Sequence, residues 1–265
     1  MANQGSDLAP VYLPPSGRPL GSNATWKFGA AIVIPLLKLI TKPDWRGTEN
    51  LPKSGAVIAI SNHISYVDPL IFAHFLYGNG RVVRFLGKAS LFNVPVLGWI
   101  LRSAEQVPVE REVKGSSTIA LAHAVAFLKA GHCLGVYPEG TLTRDQDLWP
   151  MVAKTGLARL AVMTKAPVIP SAQWGAAELL PTYSKRPKLW PRTKVTVIAG
   201  KPLDFSRWYG KEDDHEAMVE ATAYAMKAVT TLLSEIRGES PPAGIFDPHG
   251  SDLPRIGNYK KRKNK

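Results

Sequence analysis

The sequence predicts an α/β fold, a single domain with a mostly parallel central sheet flanked by helices and an apolar membrane-interface helix at the N-terminus. Three observations predict it. Continuous apolar runs such as Ala56–Ile60 and Cys133–Tyr137 have strand length without alternation, as strands covered on both faces do. Helix-like segments alternate with these runs along the 265 residues, with no obvious domain break. Both runs also stop abruptly at polar clusters, where open parallel sheets carry their ligand crevices.

Residues 1–22 are rich in Pro and Gly and read as a flexible arm. They lack the basic start and apolar core of a secretory signal, so export is not expected. Residues 23–43 read as a membrane-associating segment. Trp26–Ile40 (WKFGAAIVIPLLKLI) would make a helix of about 22 Å, short of the ~30 Å needed to cross hydrocarbon. Pro35 is expected to interrupt it. Trp26, Lys27 and Lys38 suit head-group depth, which favours a segment lying in the interface over a plain buried helix.

The domain proper spans 44–237. Asp44–Glu49 reads as a strand, Leu51–Gly55 as a turn and Ala56–Ile60 as a buried strand. A helix follows to about Tyr77, with Asp68 as its N-cap and Pro69 in its first position. Arg81–Leu86 and Gln106–Val109 read as strands, separated by helical pieces around Pro95 and Gly98. Ser116–Ala130 presents Leu121, Val125 and Leu128 on one helical face and stops at Gly131. After Cys133–Tyr137 come a helix at Lys154–Thr164 and strands at Val168–Gln173 and Lys194–Ala199. A long helix over Asp214–Arg237 has a capping box in Asp213 and Glu216 and ends at Gly238. Residues 238–265 form a basic tail that finishes RIGNYKKRKNK.

The chain carries 33 Lys+Arg against 21 Asp+Glu, a formal charge of +12. That surplus favours phosphate-bearing partners: nucleic acid, anionic lipid or an anionic substrate. The basic run is confined to the tail and is not interleaved with aromatic residues along the core clusters, so no nucleic-acid partner is expected. Cys133 is the sole cysteine, which excludes an intrachain disulfide and a cysteine-based metal site. No His-x3-His or similar pair is present, and no metal is expected.

The first polar cluster, after Ala56–Ile60, holds His63 and Asp68. Histidine is the natural base near neutral pH, and a carboxylate on one ring nitrogen fixes its tautomer and steadies the imidazolium. On one straight helix the two would point about 140° apart. A loop that folds His63 back over the helix start removes the problem. A capping Asp68 beside an ordinary loop histidine is the plainer alternative. A hydrolase with Ser65 as nucleophile is disfavoured by the two-residue spacing and by the absence of a Gly-x-Ser-x-Gly elbow.

The second cluster runs from Tyr137 to Arg144. Gly140 lets backbone N–H groups approach an anion, Thr141 adds a hydroxyl and Arg144 offers a fork suited to phosphate. An ordinary turn after a strand is the alternative. Lys88 and Arg111 are further basic candidates, each following a strand-like run.

Four ordered blocks resemble the glycerolipid acyltransferase family that includes lysophosphatidate acyltransferases. Asn62-His63-Ile-Ser-Tyr-Val-Asp68 looks like its Asn-His-x4-Asp signature. Gly87-Lys88-Ala-Ser-Leu-Phe92-Asn-Val-Pro95-Val-Leu-Gly98 continues to Val107-Pro108-Val109-Glu110-Arg111. Val136-Tyr137-Pro138-Glu139-Gly140-Thr141 is the third block, and Ala166-Pro167-Val168-Ile169-Pro170, preceded by Lys154-Thr155-Gly156, the fourth. Two positions depart from the pattern. Leu142 stands where the family usually has an arginine, with Arg144 two residues on, and Ala104-Glu105-Gln106 lacks a glycine often seen there.

The resemblance implies an enzyme of phospholipid synthesis. It would move a fatty acyl group from acyl-CoA or acyl carrier protein to the free hydroxyl of 1-acylglycerol 3-phosphate. Glycerol 3-phosphate, another lysophospholipid and a glycolipid remain alternative acceptors. His63 and Asp68 would be catalytic. Lys88, Arg111, Gly140, Thr141 and Arg144 would hold the phosphate, and Glu139 would organise the loop or bind glycerol. No cofactor is implied beyond the thioester co-substrate. The expected location is peripheral or monotopic, on an anionic membrane surface at the cytoplasmic face of the cell membrane.

Overall fold

In the computed structural model, which describes residues 11–109 and 116–248, the apolar runs become a 7-stranded sheet. The elements in chain order are α1 (Ala24–Ile40), β1 (Thr41–Arg46), β2 (Val57–Ile60), α2 (Asp68–Gly78) and β3 (Val83–Lys88). Next come α3 (Leu97–Ser103), β4 (Val107–Val109), α4 (Ser116–Lys129), β5 (Cys133–Val136) and α5 (Gly156–Thr164). β6 (Val168–Trp174), α6 (Ala176–Leu179), β7 (Thr193–Ala199) and α7 (His215–Arg237) complete the order.

The spatial order is β1-β7-β6-β2-β5-β3-β4. β6, β2, β5, β3 and β4 are mutually parallel. β7 runs antiparallel to β6, and β1 follows β7. The mostly parallel sheet expected from the apolar runs is therefore present.

β2 explains why those runs do not alternate. Ile58 and Ile60 face α4, α5 and α7, while Val57 and Ala59 face α2 and the inner side of α1. All four β2 residues are at most 1% exposed. A large side chain buried this way contributes roughly 1.5–3 kcal/mol.

Several local expectations are corrected. α1 passes through Pro35 without a break. Ala31 and Pro35 both lie on its exposed side, so the carbonyl that loses its ladder partner is not trapped in the core. β1 starts three residues before the expected strand, because Thr41 and Lys42 pair with β7. α7 is capped by Asp214, whose side chain accepts from the Ala217 N–H, and not by Asp213. Residues 11–22, read from composition as a flexible arm, are tied to the sheet: Leu20 bridges Arg81, and Tyr12 packs edge-on against Phe127. Residues 1–10 and the basic end of the tail, 249–265, lie outside the described residues.

Among the described residues no helix is long and apolar enough to cross a membrane.

Candidate active site

β2 and β5 are neighbours, with Ile60 opposite Val136, so the polar loops leaving them lie side by side at one end of the sheet. The Ser61 N–H donates to the Val136 carbonyl and carries the pairing one step into the first loop.

That loop is organised by Asp68. Its Oδ2 lies 2.9 Å from His63 Nδ1 and accepts from the Ile64 N–H at 2.6 Å and the Ser65 N–H at 2.7 Å. Asp68 therefore does not cap its own helix. Val67 holds the N-cap position without a side-chain bond, and Asp68 is already helical. The physical reason is the pair of loop N–H groups, which would be buried without an acceptor. Pro69 meanwhile removes one of the donors that the helix start would otherwise leave open. The backward fold of the carboxylate overcomes the unfavourable straight-helix angle.

His63 is held on every side but one. Its ring stacks on Tyr137 at 4.2 Å and 19°. Its N–H donates to Glu139 Oε1 at 3.2 Å, and its carbonyl accepts from the Thr143 N–H at 2.7 Å. Asp68 occupies Nδ1, so Nε2 is the nitrogen left for a proton. The imidazole is 15% exposed and the Asp68 carboxylate 0%. The arrangement can therefore take a proton from an incoming hydroxyl while the buried carboxylate balances the charge formed.

Glu139 uses both oxygens within the protein, the second accepting from the Met151 N–H at 3.1 Å. Burial pushes its carboxyl up to about 8, an effect only partly opposed by the bonds from Met151 and His63. Burial, with the nearby Asp68 charge, likewise raises the Tyr137 hydroxyl well above the usual phenol range. Tyr137 thus stacks on the histidine as a neutral ring.

Gly140 closes a turn at φ +72, with its N–H donating to the Tyr137 carbonyl. A Cβ there would lie 3.2–3.3 Å from the end of the Lys154 side chain. Lys154 therefore lies along the Glu139-Gly140-Thr141 loop, a cation that sequence reading treated only as part of a motif. Thr141 is half-buried beside it.

Arg144 does not sit on an open rim. It is 1% exposed, and none of its guanidinium nitrogens has a hydrogen-bond partner among the described residues. Leu142, at the departed arginine position, is buried and accepts from the Tyr183 hydroxyl through its carbonyl. Lys88 ends β3, but its side chain is outside what the structure describes, and Arg111 falls outside the described residues altogether. The coordinates therefore bring His63, Asp68, Glu139, Gly140 and Thr141 into one neighbourhood, with Arg144 buried behind it.

Two further supports were not legible in the sequence. Asn62 and Gln173 exchange amide and backbone bonds and lock the end of β2 to β6. Ser65 Oγ donates to the Leu180 carbonyl at 2.6 Å and is fully buried, which leaves it badly placed as a nucleophile. A cleft of about 440 Å³ opens beside the loops, with Thr143, Asp145, Gln146 and Thr182 among its lining and no basic residue. Among the described residues no group of three or more His, Cys, Asp or Glu is placed to hold a metal ion.

Residues 42–174, half of the chain, match the family model described as Acyltransferase. The chain belongs to the acyltransferase family. It is 32% identical over 174 residues to a chloroplastic 1-acyl-sn-glycerol-3-phosphate acyltransferase of Brassica napus, covering 65% of this chain and 47% of that one. It is 29% identical over 217 residues to the 1-acyl-sn-glycerol-3-phosphate acyltransferase of Bacillus subtilis, covering 80% of this chain and all of the relative. The chain spans about half the length of the plant relatives it matches. The crystal structure of PlsC, the 1-acyl-sn-glycerophosphate acyltransferase of Thermotoga maritima, shares the acyltransferase fold. Its TM-score is 0.59 at 24% identity, over 83% of this chain and 86% of that one. The family match begins within β1 and ends at the last residue of β6, so it encloses both loops of the site.

Proposed function

We propose that this protein transfers a fatty acyl group from a thioester, acyl-CoA or acyl carrier protein, to the free hydroxyl of 1-acylglycerol 3-phosphate, giving phosphatidate. The observation that carries the reading is the His63–Asp68 contact at 2.9 Å, with the imidazole at the mouth of the loops and the carboxylate beneath it. Relatives named for that activity support the same substrate class.

In this reading His63 Nε2 takes the proton of the acceptor hydroxyl as its oxygen attacks the thioester carbonyl. The new C–O bond forms, the C–S bond breaks, and the imidazolium returns its proton to the departing thiolate. No acyl-enzyme is needed, because the thioester is already activated. Glu139 organises the loop through His63 and Met151. Gly140 and Thr141, with Lys88 and Arg111, hold the phosphate. The buried, unpartnered guanidinium of Arg144 supports an anionic group reaching it, since an orphan charge in the interior is costly. Fixing the anion places the hydroxyl, and orientation of that kind removes several kcal/mol of barrier.

A second reading rests on the cleft beside Thr143, where Thr143, Asp145, Gln146 and Thr182 stand among Leu148, Ala177 and Pro181 with no cation. It favours a hydroxyl-rich head group, as on a glycolipid acceptor. A panel of acceptors with one labelled acyl-CoA separates the two. Of the segment 23–43, α1 (24–40) is assigned to the membrane interface on the cytoplasmic face, since 41–43 already pair within β1; β1 to α7 make up the catalytic domain and 238–265 a basic tail.

The direct test is His63→Ala. Phosphatidate formation should fall below detection while the circular dichroism spectrum and melting temperature stay as in the parent. Substantial residual turnover would remove His63 as the base.

A further inference from the structure

The cleft beside Thr143 touches the histidine loop at two points. The Thr143 N–H donates to the His63 carbonyl, and Thr182 Oγ1 donates to the Ile64 carbonyl at 2.6 Å. Gly140, Thr141 and Arg144, the described groups assigned to the acceptor's phosphate, are not among its lining. With that anion held by those groups, a volume of about 440 Å³ beside the base is left open, within the ordinary range of small-molecule sites.

The lining sorts into acceptors, a donor and an apolar remainder. Asp145 commits Oδ1 to the Asp147 and Trp149 N–H groups, which leaves Oδ2 to accept from a ligand N–H or O–H. Gln146 is exposed, and its amide both donates and accepts. Thr182 spends its proton on Ile64 and keeps lone pairs for a donor. Leu148, Ala177 and Pro181 are apolar. A fatty chain laid here would strand the carboxylate and the amide. A phosphate would meet the Asp145 charge with no cation in the lining.

The backbone is strained on both sides of the cleft. Leu148 has φ +63, and Tyr183, next to Thr182, has φ +64, a region that side chains other than glycine rarely adopt. Such strain persists only where its surroundings enforce it, and it gathers at ligand clamps. The Tyr183 hydroxyl donates to the Leu142 carbonyl at 3.3 Å, and its ring lies edge-on to Tyr66.

Beyond Thr182 the rim becomes cationic. Lys185, Arg186 and Lys188 are all exposed. The Ser184 N–H donates to the Pro181 carbonyl at 2.8 Å and the Lys188 N–H to the Leu179 carbonyl at 2.7 Å, so the segment folds back and keeps these cations beside the Pro181–Thr182 wall. Residues 175–192 contain Glu178 as their one acid, against these three cations and Arg192.

We infer that the cleft receives the phosphopantetheine arm of the acyl donor, with its amides and hydroxyl among Asp145, Gln146 and Thr182 and its phosphate end emerging at Lys185, Arg186 and Lys188. That arm is neutral over most of its length. It carries two amides, and a hydroxyl beside a dimethylated carbon; one end is the thiol that bears the acyl group and the other a phosphate. A neutral slot beside the base that opens onto cations follows the same sequence of groups. The assignment rests on the acyltransferase reading, and CoA and acyl carrier protein share the arm. Ala177, Pro181, Thr182 and the basic run lie beyond residues 42–174, so the family match does not supply them.

The test uses the full chain and steady-state kinetics with donor and acceptor varied separately. Three palmitoyl thioesters serve as donors: those of CoA, of acyl carrier protein and of pantetheine, which lacks the phosphate. Ala177→Leu narrows the cleft and should raise the KM of all three donors about tenfold, while the lysophosphatidate KM stays as in the parent. Lys185→Glu/Arg186→Glu should raise the KM of the two phosphate-bearing donors about tenfold and leave that of the pantetheine thioester unchanged. The larger of the two rises identifies the donor that the basic run meets. Gln146→Ala, at an exposed position, should raise the donor KM about threefold and decides the matter if Ala177→Leu does not fold. Unchanged donor KM values overturn the proposal. So does a rise in the acceptor KM, alone or equal to the donor's, since the head group would then occupy the cleft. Calorimetric titration with free phosphopantetheine separates the site from the reaction. A parent that binds it, with binding lost in Ala177→Leu, but transfers no acyl group keeps the site and rejects the enzymatic reading. A parent that transfers acyl groups while its cleft variants keep the donor KM rejects the site and leaves that reading standing.

Discussion

The loop after β2 and the loop after β5 touch each other, yet they are held by different means. In the first, one oxygen of Asp68 gathers the His63 ring and the N–H groups of Ile64 and Ser65, all within a few residues of chain. The second depends on distant groups. Glu139 reaches across to His63 and forward to Met151, and Thr143 Oγ1 donates to the Trp149 carbonyl. Arg237, at the end of α7, lies over Trp149 at 4.1 Å and Trp174 at 4.4 Å and donates to the Asp147 carbonyl. The His63–Asp68 contact is thus made within its own loop, although Tyr137, Glu139 and Thr143 also brace the histidine, while the second loop is ordered mainly by tertiary contacts. The two loops should fail differently.

The largest effect is expected at Asp68. Asp68→Ala removes the partner of the His63 ring and the acceptor of two loop N–H groups. Turnover should fall by roughly 10³–10⁴-fold, and stability in urea by about 1–3 kcal/mol. A variant that loses stability but keeps its turnover would break the comparison, since the first loop would then be structural only. Arg237→Ala should act more weakly, lowering turnover by about tenfold and stability by roughly 1–2 kcal/mol, as stacking and one carbonyl bond are lost. Arg237→Lys should recover the charge but not the planar stacking, so only partial rescue is expected in paired kinetic and melting measurements. Full rescue would mean that charge alone holds the second loop.

Glu139→Gln should change turnover least and sharpen the comparison through pH. The Glu139 carboxyl sits near 8 in the folded protein against an ordinary value of 4.5. A group raised on folding contributes stability that is complete below the unfolded value and is lost as pH rises through the folded one. The parent should therefore lose unfolding free energy between about pH 4.5 and pH 8 relative to Glu139→Gln, whose amide does not titrate. Urea midpoints that run parallel across this window would show that the carboxyl is not buried as described.

Much of the site was legible because its signals are short in range. His63 and Asp68 stand five residues apart around a tight loop, and Gly140 marks a turn that needs positive φ. The direction of Asp68 was not legible, because helix capping and ring binding call for the same residue at the same position. The burial of Arg144 was hidden as well. Its neighbours in sequence, Thr143 and Asp145, border an open cleft, and nothing local says that the side chain between them turns inward. Trp149, Trp174 and Arg237 carry no motif, and only the packing of α7 brings them together.

Local spacing and periodicity determined that the chain is an α/β protein, where most strands lie and which histidine has a carboxylate within reach. These follow from short-range sterics and from the need to cover apolar strands on both faces. Only the tertiary structure decided that β2 pairs with β5 across the intervening β3 and β4, that α1 continues through Pro35, and that Glu139 spends both oxygens on backbone N–H groups. Those outcomes depend on burial and hydrogen-bond satisfaction between segments far apart in the chain, where no residue's neighbours in sequence record its neighbours in space.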